Sequence, residues 1–280
     1  MLPIPAESAA RLLVAAKPDA VLLAGDYIDS AADVPVFAAW LGAIIAALQA
    51  AACGGGAPGA PGNGAPGAPG VSDAPGAPPF YMCLGNHDMR AFQRRPQTRK
   101  EFFRSMKALG ARVLDDATQA FECRGMLYSA TGYRDLRYRR AKDARAAMRG
   151  APPNARFRIG IAHNPDFAIE LARMRPKDRP DLLLCGHFHG GQIWTPFQLE
   201  FISMRTEKLC RRGVKRGLHL ITADGFSADQ AVGSPANSSA GGPAGGKDGA
   251  QLAYISRGLG CVLFPMRFLS KPEITLLLLP

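Results

Sequence analysis

Four times in this chain a short aliphatic run breaks into a polar tip, and the tips carry Asp, Asn and His. Residues 20–24 (AVLLA) lead into Gly25-Asp26-Tyr27-Ile28-Asp29. Residues 80–84 (FYMCL) lead into Gly85-Asn86-His87-Asp88, and residues 158–162 (RIGIA) into His163-Asn164-Pro165. Residues 182–185 (LLLC) lead into Gly186-His187-Phe188-His189-Gly190-Gly191-Gln192. Each run has the length of a buried strand and is short for a helix. Glycine at the breaks predicts tight loops where the backbone can approach something small, such as an ion. In open α/β sheets, ligands bind outside the carboxyl ends of the strands. Four of the five histidines fall in these tips. Carboxylate, amide oxygen and imidazole together suit manganese, iron or zinc better than a thiolate-seeking metal. If the last strand continued through its tip, His187 and His189 would point the same way, because strand side chains alternate.

Between these units the chain reads as helices and further strands. Residues 6–17 form an Ala-rich helix that Lys17-Pro18 must end, since the residue before proline avoids the α region. Residues 36–53 are apolar and long enough to raise a membrane span. Phe37, Trp40, Leu41, Ile44, Ile45 and Leu48 share one face there, and alanines fill the rest, which predicts a core helix instead. Residues 97–109 form an amphipathic helix, residues 112–114 and 126–129 strands, 135–148 a basic helix and 168–174 a short helix. Two Gly/Ala/Pro stretches, 54–79 and 227–250, cannot bury apolar surface and read as surface inserts in a single domain spanning residues 1–280.

Composition narrows the partners. A net charge of +11 over 280 residues favours anionic ones. Basic residues gather in 90–107, 134–149 and 205–216, mostly as solvated faces, and the excess suits a phosphorylated small molecule, a lipid substrate or peripheral contact with an anionic membrane. No helix-turn-helix, zinc-finger or RNP pattern points to nucleic acid. The six cysteines form no C-x-x-C pair. Cys83 and Cys185 read as small buried hydrophobes of a reducing, cytoplasmic compartment, with the inner membrane surface as a peripheral location.

The ordered motifs Gly-Asp-x-x-Asp, Gly-Asn-His-Asp, a lone His in Ala-His-Asn-Pro, and Gly-His-x-His resemble those of the calcineurin-like metallophosphoesterases. Residues 254–260 (YISRGLG), 265–268 (PMRF) and 272–276 (PEITL), with Gly190-Gly191-Gln192-Ile193, resemble a branch of membrane-associated phosphodiesterases that includes a UDP-2,3-diacylglucosamine pyrophosphatase. The resemblance implies an α/β fold: a four-layer α/β/β/α sandwich with two mixed sheets and a metal site at strand C-terminal ends. It also implies a phosphodiesterase or pyrophosphatase acting on a phosphodiester or nucleotide-lipid through two divalent ions, manganese first, with iron, zinc, magnesium or cobalt as alternatives. A soluble-substrate phosphatase or nuclease of the same fold is the second reading, and a catalytically impaired binding protein the third.

Carried over motif by motif, the resemblance makes Asp26 the bridging ligand, with Asn86, His163 and His187 completing one metal and His189 going to the other. His87 then faces the substrate phosphate as proton donor or transition-state stabiliser, and Asp88 orients it. Asp29 is read as ordering the loop. Phe188, Ile193, Trp194 and Phe197 read as loop packing or as an apolar rim for an acyl chain. In one respect the chain departs from the family, which opens with an Asp-x-His strand ahead of its first helix. Here Met1–Pro5 leads directly into that helix. Two ligands of the first metal are therefore absent, and a start placed too far downstream is the favoured explanation over natural loss.

Overall fold

The computed structural model describes residues 4–53, 77–138, 143–192, 206–231, 249–261 and 267–280. Helix α1 spans Ala6–Ala16; it ends on Lys17 in the left-handed region (φ 46°), whose N–H donates to the Leu13 carbonyl at 3.0 Å. Strand β1 (Val21–Leu23) leads to helix α2 (Asp33–Cys53), and β2 (Phe80–Met82) leads directly into helix α3 (Asn86–Arg94). Helix α4 (Pro96–Ala108) has proline in its first turn, where the missing N–H costs nothing. Strands β3 (Ala111–Val113), β4 (Ala117–Cys123) and β5 (Met126–Tyr133) follow, then helix α5 (Asp143–Met148) and β6 (Phe157–Ala162). Helix α6 (Phe167–Ala172), strand β7 (Leu182–Cys185), one turn of helix α7 (Lys208–Arg211), and β8 (Gly217–Thr222), β9 (Gly225–Ala231) and β10 (Ala250–Ile255) complete the order.

Two sheets form. One is three-stranded, β1-β2-β3, and wholly parallel. The other has seven strands in the order β4-β5-β6-β7-β10-β8-β9. Its centre, β5 to β10, is parallel and its margins are antiparallel, so only this larger sheet is mixed.

Period-two alternation then sorts the side chains into three apolar layers. Val21, Leu23, Phe80 and Met82 face α1, α2 and α4. Leu22, Tyr81 and Cys83 face the other way and meet Ile159, Ile161, Leu182 and Leu184 of the larger sheet. Leu183, Cys185, Ala253 and Ile255 point outward to α6, α7 and Phe188. A sheet that must be covered on both faces needs such near-continuous apolar strands. The result is the expected α/β/β/α layering. Within it α2 is a core helix: Val34, Phe37, Leu41, Ile44, Ile45 and Leu48 are buried against the first layer, and its outer face is mostly alanine. By length and composition alone it would also pass for a membrane span.

Several sequence expectations need correction. Residues 135–148 are not one helix: a 3-10 turn occupies Leu136–Tyr138 and α5 begins at Asp143. The second insert is shorter than its composition suggests, because residues 225–231 pair with β8 through a hairpin closed at Thr222↔Gly225. Gly225 has φ 107°, the left-handed region that such turns require. Strand β4 carried no sequence signal. Residues 54–76 of the first insert and Ile193, Trp194 and Phe197 lie outside the described residues.

The last ten residues have no regular secondary structure and pack on the sandwich. Ile274 packs on the helical layer and Leu277 and Leu279 between the sheets, with Leu276 and Leu278 exposed. Among the described residues, β1 has a single ladder neighbour, β2.

Candidate metal centre

The carboxyl ends of β1 and β2 in one sheet, and of β6 and β7 in the other, open at the same edge of the sandwich. Asp26 follows β1 and adopts φ 63°. Its Oδ1 accepts the backbone N–H of His87 at 2.9 Å, and its Oδ2 lies 2.9 Å from His163 Nε2. His163 Nδ1 is 2.6 Å from the Ala24 carbonyl, an acceptor only, so Nδ1 carries a proton. His187 Nδ1 lies 3.0 Å from His163 Nε2, and its Nε2 lies 2.9 Å from Glu207 Oε1. Asp26, His163 and His187 offer ligand atoms within 4.8 Å of one another.

Glycines permit this closeness. A Cβ at Gly85 would overlap the Asp26 carboxylate, and one at Gly25 would sit 2.8 Å from His163 Nδ1. Gly25 also has φ 92°, a conformation glycine adopts without a steric penalty.

These residues fit a divalent cation on the chemistry of their donor atoms. With His163 Nδ1 and His187 Nε2 committed to outer acceptors, three lone pairs face one another: Asp26 Oδ2, His163 Nε2 and His187 Nδ1. Mutually facing acceptors without an intervening cation or proton repel. Asn86 supports the same reading. Its side chain is buried and Oδ1 has no hydrogen-bond partner, an expensive state for an amide oxygen unless something cationic meets it. Of the five residues expected to bind metal, three therefore converge and Asn86 stands beside them between Gly85 and His87.

His189 is not part of this group. His187 and His189 both adopt left-handed conformations (φ 69° and 51°) in a turn, so strand alternation does not apply and the rings diverge. His189 Nδ1 is held 3.1 Å from the Gly260 carbonyl. Its carbonyl accepts Ser270 Oγ at 2.8 Å and Arg267 Nη1 at 3.2 Å. Burial, with the Arg267 charge against protonation as well, lowers its pKa to about 4, so the ring is neutral and Nε2 is an acceptor. It shares a cleft with Asp26, His87, Asp29, Val36 and Phe37.

The roles of Asp88 and Asp29 are reversed relative to the sequence reading. Asp88 does not orient His87. Its two oxygens accept four backbone N–H groups, from Asp26 (2.9 Å), Tyr27 (2.8 Å), Ile28 (3.0 Å) and Gly85 (2.8 Å). It therefore fixes the loop that presents Asp26. Burial and the Asp26 charge push this carboxyl up to about 7 against the amides that favour the anion. Asp29 instead contacts His87 Nδ1 directly, while His87 Nε2 stands 3.9 Å from Asp26 Oδ2. Phe188 is fully buried among the outer-layer residues, so it is core and not rim.

In the metal-free chain a proton substitutes for the ion. Burial opposes charging of His163, but the Asp26 carboxylate outweighs it and raises its pKa to about 9. The folded pKa lies above the ordinary 6.5, so this pair contributes stability fully below about pH 6.5, and the contribution is lost as pH rises through 9. A metal must displace that proton. Apparent affinity for Mn2+ should therefore rise roughly tenfold per pH unit up to about pH 9 and then level off, as one proton is released per ion. Calorimetric titrations across this range, with proton release read from buffer dependence, check it.

Glu207 was missed by sequence reasoning. It lies twenty residues beyond His187, outside any motif, and its only signal was being the one acid in the basic stretch 205–216.

A family model for calcineurin-like phosphoesterases matches residues 6–191. The uncharacterised metallophosphoesterase YkuE of Bacillus subtilis (strain 168) is 31% identical over 120 residues, 42% of this chain and 29% of that protein. Phosphodiesterase YaeI of Escherichia coli (strain K12) is 31% identical over 118 residues, 42% of this chain and 39% of that protein. The aligned stretches thus span well under half the length of these relatives. Given the strand-end motifs, the α/β/β/α layering and the match over most of its length, the chain belongs to the calcineurin-like phosphoesterase family.

Proposed function

We propose that this chain is a metal-dependent phosphoric ester hydrolase acting on a phosphodiester or a nucleotide-lipid pyrophosphate. The observation that carries this is the set of three lone pairs, Asp26 Oδ2, His163 Nε2 and His187 Nδ1, facing one another; Asn86, whose buried Oδ1 has no hydrogen-bond partner, lies in the Gly85–His87 segment that contacts Asp26. Asp26, Asn86, His163 and His187 would hold one divalent ion, manganese first, and Asp26 with His189 would face a second. Bound ions of this kind neutralise phosphate charge and lower the pKa of a coordinated water.

The protein's own groups do the rest. Asp29 anchors His87 by Nδ1, which leaves Nε2 facing the cleft near Asp26, within reach of a leaving oxygen that needs a proton. Asp88 keeps the Asp26 loop in register. Tyr27, Ile28, Val36 and Phe37 give the cleft an apolar wall, and Val36 is 64% exposed at its lip. Such a wall beside an anion site suits an amphipathic substrate, and the positive net charge suits an anionic one at a membrane surface. Buried free thiols at Cys83 and Cys185 suit a reducing, cytoplasmic location.

A binding protein that holds a single ion is the second reading. It is favoured by the one group of converging metal-ligand atoms among the described residues, Asp26, His163 and His187. One experiment separates the two. Metal content and turnover are measured for the 280-residue chain and for a version with an Asp-x-His strand placed ahead of Met1. The substrates are bis-p-nitrophenyl phosphate, p-nitrophenyl phosphate and a UDP-lipid, each with Mn, Mg, Zn or Co. We expect about one ion and little turnover in the first, a second ion and most of the rate in the other, and diester preferred to monoester. No metal-dependent turnover in either would leave the binding-protein reading standing.

A further inference from the structure

The outer nitrogen of His187 is held by a carboxylate from a different part of the chain. His187 Nε2 lies 2.9 Å from Glu207 Oε1, and both side chains are only 4% exposed. Glu207 Oε1 also accepts Arg137 Nη2 at 3.1 Å. The segment carrying Glu207 is pinned in turn, because Asp166 accepts the backbone N–H groups of Lys208 (2.7 Å) and Leu209 (2.9 Å). Asp166 is three residues beyond His163, and its own N–H donates to Asn164 Oδ1 at 3.0 Å. Arg137 follows the end of β5. Loops after β5, β6 and β7 therefore meet at one buried carboxylate.

His187 needs such a partner. At φ 69° it sits where non-glycine residues are sparsely found, a conformation that persists only when its surroundings over-determine it. A neutral imidazole also has two tautomers, and only one leaves Nδ1 bare. An acceptor at Nε2 selects that one.

We propose that Glu207 is the positioning residue of the metal centre: its carboxylate accepts Nε2–H of His187, which sets both ring orientation and tautomer so that the Nδ1 lone pair faces Asp26 and His163. Arg137 balances the charge and keeps Glu207 in place. The proposal rests on the metal-site reading above for its use, but not for its test. In the metal-free chain, histidine side-chain 15N–1H spectra should show His187 with the proton on Nε2. Glu207→Gln, whose amide oxygen still accepts, should keep that state. Glu207→Met, close in length but unable to accept, should move the proton or average the two states.

Outer-shell partners typically contribute about 10–100-fold to metal affinity. Titration with Mn2+ alone should accordingly show Glu207→Met weakened by about 10–100-fold and Glu207→Gln within a few-fold of the parent. A proton on Nδ1 of His187 in the parent chain would overturn the proposal even if both variants failed to fold. So would unchanged Mn2+ affinity in a folded Glu207→Met. If the spectra behave as expected but the parent chain binds no Mn2+, the metal-site reading fails and the tautomer assignment stands.

Discussion

Replacing Asp26 with Asn should abolish measurable Mn2+ binding at micromolar metal and remove hydrolysis with it. Asp26 is the one anion among the converging groups, and its two oxygens do separate jobs. Oδ1 holds the His87 backbone N–H and Oδ2 faces His163. An amide in that place keeps the size but loses the charge, and can turn an NH2 group toward the ion. Removing a mere outer-shell partner already costs about 10–100-fold in affinity, so losing the charged ligand should exceed that range. The variant should still fold, because the Asp88 contacts to the loop backbone remain. His163 should at the same time lose its elevated pKa, since the Asp26 carboxylate is what raises it. Calorimetric titration, turnover on bis-p-nitrophenyl phosphate and histidine titration by NMR read all three. Parent-like affinity in Asp26→Asn would remove Asp26 from the centre.

The second large effect is on stability. Asp88→Ala should lower the melting temperature by on the order of 10 °C, or about 3–5 kcal/mol, without touching any proposed ligand. Four backbone N–H groups would lose their acceptor at once, each costing about 1–3 kcal/mol if buried and unpaired. Water entering the gap would recover part of this. Asp88→Asn should fall between parent and Ala, because one amide oxygen can accept only some of the four. It should also change the pH profile. The folded pKa of Asp88 is raised from 3.8 to about 7, so ionising it destabilises the metal-free fold as pH rises between those values. The Asn variant should lack that slope. Thermal melts from pH 4 to 8 test both statements, and an Asp88→Ala chain as stable as the parent would refute the loop-anchoring role.

What the sequence shows and what it hides divide along one physical line. Strand ends were legible because alternation and abrupt glycine breaks are local signals. Leu182–Cys185 could hardly be other than a buried strand, and its neighbours Phe157–Ala162 and Ala250–Ile255 cover it on both sides. The family motifs made Asp26, Asn86, His163 and His187 candidates, and the fold brings three of them together, with Asn86 in the segment whose next residue, His87, donates its N–H to Asp26. Side-chain partnerships were not legible. Asp88 adjoins His87 in sequence, but as the third residue of a helix it points back at its own N-terminus and the neighbouring loop. His187 and His189 are two residues apart, but each takes a left-handed turn, which separates their rings. Glu207 is tied to His187 through packing over twenty residues, and nothing local announces it. Strand β4 and the hairpin at Thr222↔Gly225 depend on neighbours that composition cannot reveal.

The four strand ends that carry the centre belong to two different sheets. Asp26 and Asn86 come from the three-stranded sheet, and His163 and His187 from the seven-stranded one. Between the sheets lie side chains without a shared backbone ladder, so an ion held by both acts as a rivet through the sandwich. Its binding free energy then becomes cohesion between the layers, worth about 4.1 kcal/mol when free metal is a thousandfold above Kd. Chelation should therefore loosen the smaller sheet and its helices first. Amide exchange in β1 and β2 should quicken on adding EDTA, while the parallel centre of the larger sheet stays protected.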